Sequence, residues 1–122
     1  TGQLQYRPKW KIPLSETSLT WSWWMRTMAN QGLVDGGSHI IFIETIFDTL
    51  NARAAIFAYE NFFKDSGLKK LPLFISGTII DAAGRTLSGQ DSEAFFISMM
   101  NANPFCIGFN CALGATQMYP FL

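Results

Sequence analysis

The chain has 122 residues, nine Lys and Arg against nine Asp and Glu, and 48% apolar residues. That length suits one small domain with a core but is too short for a complete eight-stranded α/β barrel. The balanced charge argues against a nucleic-acid surface, no apolar run is long enough to span a membrane as a helix, and no secretory signal is expected.

The first 31 residues are set apart as an N-terminal helical segment. Residues 14–28 read as a helix covering a sheet, although Thr20-Trp21-Ser22-Trp23-Trp24 gives no clean stripe. Asp35-Gly36-Gly37 reads as a turn into a first strand, Ile40-Ile41-Phe42-Ile43-Glu44-Thr45. A helix follows over residues 48–65, with Ala52, Ala55, Ile56, Tyr59, Phe62 and Phe63 on one stripe, Asp48 as N-cap and Gly67 just past its end. The second strand is Leu73-Phe74-Ile75-Ser76-Gly77-Thr78-Ile79. The loop Gly84-Arg85-Thr86-Leu87-Ser88-Gly89-Gln90 comes next, long enough to lie over a pocket. It is not a phosphate-binding P-loop, because the Lys-Ser/Thr pair is missing. A helix from Asp91 or Ser92 turns Phe95, Phe96, Met99 and Met100 toward the sheet, and Asn103-Pro104 stops it. The third strand runs from Phe105 to Cys111.

Each strand is a near-continuous apolar run ending in polar residues, which favours a parallel sheet covered on both faces. The interval from Glu44 to Thr78 is 34 residues and from Thr78 to Cys111 it is 33. That is the length of one strand, loop, helix and return loop. The class is therefore α/β, with about three consecutive βα units whose strand ends share one face. A doubly wound sheet and part of a barrel both fit this pattern.

Candidate site residues sit at those strand ends. Glu44 is an acid closing an apolar strand. Asp48 caps a helix first and contacts any ligand second. His39, the only histidine, precedes the first strand on the opposite, stability face, so neither a triad nor a His-based zinc site can be built. Cys106 reads as a packed core thiol. Cys111 is a strand-end thiol: a metal ligand, a nucleophile or a small core residue. A catalytic zinc takes about three protein ligands, and one good thiol is present, so either the site is not zinc or its other ligands lie outside these residues. Five positions apart on one strand, the two cysteines would point to opposite faces, which disfavours a disulfide; with no disulfide framework, a reducing, cytoplasmic compartment is expected. A Schiff-base aldolase would need a strand-end Lys, and the chain offers none.

Four stretches carry a resemblance: Ile43-Glu44-Thr45-Ile46-Phe47-Asp48-Thr49-Leu50-Asn51-Ala52, Ile75-Ser76-Gly77-Thr78-Ile79, the Gly84 to Gln90 loop, and Gly108-Phe109-Asn110-Cys111-Ala112-Leu113-Gly114. They resemble, in order, the homocysteine-binding module of cobalamin-dependent methionine synthase. The resemblance covers residues 33–122, and residues 32–122 are taken as part of that domain. It implies a partial (β/α)8 barrel of the TIM type, an internal fragment of a methyltransferase that passes a methyl group from methylcobalamin to homocysteine, making methionine. It also implies zinc held by three cysteines, of which Cys111 matches one; the adjacent pair that supplies the others is absent. Glu44 would hold the substrate amino group, and Ser76, Gly77, Thr78 and Asn110 would line the pocket. Expected partners are homocysteine and other domains of the parent enzyme, with methylcobalamin bound by those domains, and no nucleic acid or membrane. Betaine- and S-methylmethionine-dependent relatives share the Gly-x-Asn-Cys motif and the strand-end Glu. A different class of reading is a truncated, non-catalytic packing module.

Overall fold

The computed structural model describes residues 29–110 and 113–122. The expected helix over residues 14–28 and the Cys111 side chain lie outside the described residues. In chain order the elements are α1 (Gln31–Asp35), β1 (Ile41–Ile46), α2 (Thr49–Ser66), β2 (Leu73–Thr78), α3 (Ser92–Met100), β3 (Cys106–Asn110), α4 (Ala115–Met118) and a 3-10 turn (Tyr119–Phe121). The three strands are parallel and lie in the order β1-β2-β3. This is the expected α/β class, and its strand order is that of consecutive barrel-type βα units.

Local chemistry explains the helix limits. Asp48 stands in extended backbone and its carboxylate accepts from the Leu50 N–H at 2.9 Å, filling an orphan donor of the first turn of α2. The other end closes on Gly67 with φ 66°, where a side chain would be strained. Asp91 caps α3 in the same way through the Ala94 N–H. Asn103 then takes a left-handed φ of 47° and turns the chain toward β3.

Pleating divides the sheet into two faces. Ile41, Leu73 and Ile75 point toward the helices and join Ile56, Tyr59, Phe62, Phe63, Phe95 and Met99 in one core cluster. Ile107 and Phe109 pack against it from β3. Phe95 is fully buried, and its ring lies on Gly77: a Cβ built there would stand 2.7 Å from Phe95 Cζ. Tyr59 adds a polar tie, donating its hydroxyl to the Leu71 carbonyl ahead of β2.

The helix-stripe expectation needs correcting in α3. Phe95 and Met99 are buried, but Phe96 and Met100 are both exposed. The two pairs form adjacent stripes, and a nine-residue helix lying on one sheet face turns only one of them inward. Cys106 is also corrected: it is exposed, not a core thiol. It pairs in register with Phe74, on the face opposite the helices.

On that opposite face Phe42 meets Phe74 edge-on, and Phe74 stacks on Phe105. No helix among the described residues is long and apolar enough to cross a membrane.

Two outcomes follow. Gly77→Ala should destabilise the chain by about 1–3 kcal/mol in urea unfolding, with Phe95→Leu in the same chain recovering part of the loss. Burial, assisted by the neighbouring Glu60 charge, pushes the Tyr59 phenol up to about 12. A raised folded value means its contribution is intact below the ordinary tyrosine value of about 10 and is lost as pH climbs through about 12. Alkaline unfolding should therefore show a phase in that window that Tyr59→Phe removes.

Candidate functional site

The carboxyl ends of the strands carry the polar side chains. From Phe42 and Phe74 onward, alternation puts Glu44 on β1, Ser76 and Thr78 on β2, and Gly108 and Asn110 on β3 on the face turned from the helices. Ser76 and Thr78 are buried, although both are polar. Gly77 takes the other side, under Phe95, so its role here is to admit that ring.

Thr78 and Asn110 are register partners, and the Thr78 hydroxyl donates to Asn110 Oδ1 at 2.9 Å. Asn110 Nδ2 in turn donates to Thr45 Oγ1 at 3.0 Å. One carboxamide thus links the ends of all three strands, although β1 and β3 are not ladder neighbours.

Thr45 reaches Asn110 because β1 is irregular there. Ile43 pairs with Ile75, but Ile46 pairs with Gly77, so β1 holds one residue more than β2 over that step. The bulge puts Thr45 at φ 58°, in the left-handed region that a β-branched residue rarely enters. Sequence reasoning missed Thr45. A Thr at the end of an apolar strand carries no local sign of positive φ, and the bulge appears only in the pairing with β2.

Beside the bulge is a cleft of about 310 Å³, lined by residues 43–48 and by Asn51, Ala52, Ala54 and Ala55 of α2. It is at the lower end of the size range of ligand pockets. Of the candidate residues Glu44 and the helix cap Asp48 line it; Ser76, Thr78 and Asn110 are not among its lining residues.

The loop between β2 and α3 is folded on itself. The Asp81 carboxylate accepts from the Ala83 and Arg85 N–H groups, and Thr86 N–H donates to the Gln90 carbonyl. The loop also joins its neighbours: Ser88 N–H donates to the Phe47 carbonyl after β1, and the Phe121 ring lies against Gly84, whose φ is 76°. Gln90 Oε1 is buried with no hydrogen-bond partner among the described residues.

No group of three His, Cys, Asp or Glu side chains among the described residues is placed to hold a metal ion. Cys106 opens β3 and His39 precedes β1, both at the end of the sheet away from Asn110. The remaining thiol, Cys111, follows Asn110 directly in the chain.

Compared with known families, the sequence matches homocysteine S-methyltransferase over residues 10–122. The chain belongs to that family. The match begins within the segment over residues 1–31 and continues through all three strands. Membership of this family supports a function of the homocysteine methyltransferase kind.

Asn110→Ala should remove both links at once and leave the Thr78 hydroxyl unpaired in a buried position. We expect a loss of about 1–3 kcal/mol in urea unfolding, with faster amide exchange at the ends of β1 and β3. Unchanged stability and exchange would mean that the amide bridge is not formed in solution.

Proposed function

We propose that the strand ends form part of the homocysteine pocket of a methionine synthase, a methyltransferase whose donor is methylcobalamin. Glu44 takes the substrate amino group in a charge-assisted contact, and Ser76, Thr78 and Asn110 supply neutral hydrogen-bonding groups around the rest of the amino acid. Gly77 contributes by keeping the strand close under Phe95, so that Ser76 and Thr78 are held in place on either side of it. What supports the reading is the gathering of these groups on one face in a chain that belongs to the homocysteine S-methyltransferase family. The Gly84 to Gln90 loop, which resembles that of the cobalamin-dependent branch, favours methylcobalamin over betaine or S-methylmethionine as donor.

Cys111 is proposed as one zinc ligand, with the other two thiolates coming from outside these 122 residues. Zinc so held would supply a deprotonated homocysteine thiolate near neutral pH. The chain's own residues bind and orient the amino acid; methylcobalamin would be held by other domains of the parent enzyme.

Two measurements test the reading. Elemental analysis of the purified chain should find far less than one zinc per molecule; tight stoichiometric zinc would refute the incomplete donor set. Titration of the labelled chain with L-homocysteine, followed by NMR, should perturb Glu44, Thr78 and Asn110. Glu44→Gln should weaken binding about tenfold or more, as expected for loss of a charge-assisted hydrogen bond. Absence of any perturbation at these residues in the wild-type chain would overturn the assignment of the pocket.

A further inference from the structure

Thr45 occupies a backbone conformation that Gly or Asn would adopt at lower cost. A β-branched residue at φ 58° carries backbone strain, and such strain persists only where the surroundings enforce it. A glycine would serve equally well to turn the strand. What Thr adds is a hydroxyl, and that hydroxyl accepts from Asn110 Nδ2 at 3.0 Å.

The bond has a directional consequence. A carboxamide has two donors on nitrogen and two acceptor positions on oxygen. Thr78 donates to Asn110 Oδ1, and Thr45 accepts from Asn110 Nδ2. The two hydroxyls grip opposite ends of the amide and so hold its plane, with Nδ2 turned toward Thr45. The bulge that lets Thr45 reach Asn110 also follows directly on Glu44. One backbone irregularity therefore governs both the acid at the end of β1 and the amide at the end of β3.

We propose that Thr45 is a positioning residue for the amino-acid pocket: it acts through Asn110, holding that amide so that its second N–H is presented to the ligand's carboxylate. The proposal rests on the reading that the strand ends bind homocysteine, and it adds to that reading a residue that orients the pocket through Asn110.

The test uses the 15N-labelled 122-residue chain and L-homocysteine as the probe. Thr45→Val keeps the shape and the β-branching but removes the acceptor; Thr45→Ser keeps the hydroxyl. In Thr45→Val the Asn110 side-chain amide signals should move toward their free positions. L-Homocysteine should bind about three- to tenfold more weakly, the effect of one net hydrogen bond, while the melting temperature stays within about 5 °C of wild type. Thr45→Ser should retain the wild-type amide signals and affinity. Wild-type affinity with unchanged Asn110 signals in Thr45→Val would overturn the proposal, as would an equal loss in both variants. An affinity loss explained by partial unfolding alone would reduce Thr45 to a structural residue and also overturn it. Should the wild-type chain not bind L-homocysteine, the pocket reading fails, and the Asn110 amide comparison alone then decides whether Thr45 sets that amide.

Discussion

The seating of α3 depends on a side chain that is missing. The tip of the Phe95 ring can reach β2 only because position 77 has no Cβ, and the ring is fully buried there. That contact sets the height of α3 above the sheet, and Phe109 of β3 packs on the same ring with centroids 5.5 Å apart. Through one aromatic side chain the central strand, the helix after it and the third strand share one packing solution. The polar strand ends inherit their spacing from it, since Ser76 and Thr78 flank Gly77 and point the other way.

The sheet thus separates two tasks. The helix side is apolar and close-packed, and it fixes the relative positions of the strands. The other side carries Glu44, Ser76, Thr78 and Asn110 near the carboxyl ends and the Phe42, Phe74 and Phe105 cluster near the amino ends. Phe42 and Phe105 remain 54% and 76% exposed. A parallel sheet of three strands with one face so apolar is consistent with an arc of a larger closed structure, in which this face would be interior.

Much of this was legible in the residues. Asp48, Gly67 and Asp91 mark helix limits because their chemistry is local: a carboxylate accepting from its own first turn, or a residue free to take positive φ. The strands were legible because continuous apolar runs of that length have few other uses. What escaped depends on partners far along the chain. The adjacent stripes of α3 differ only in which one meets the sheet, and the exposure of Cys106 follows from its register with Phe74. The face on which Gly77 lies, and the bulge at Thr45, likewise exist only in the pairing of one strand with another. Glu44 stands out from the pattern alone as an acid at a strand end, whereas the pocket roles of Ser76, Thr78 and Asn110 rest on a resemblance of motifs, and their shared face comes from register.

The amide bridge shows why such an arrangement suits a binding site. Each strand end belongs to a separate βα unit, and each unit could shift slightly as its helix repacks. A single planar carboxamide held by a hydroxyl on either side cannot follow independent movements, because its donor and acceptor ends lie at a fixed separation. Thr45, Thr78 and Asn110 therefore convert three strand positions into one. The strain at Thr45 acts in the same direction: a residue held in a left-handed bulge by its surroundings has fewer nearby conformations to relax into than one in regular strand. A pocket built on these side chains is then as rigid as the core beneath it, and the core is anchored at the glycine that admits Phe95.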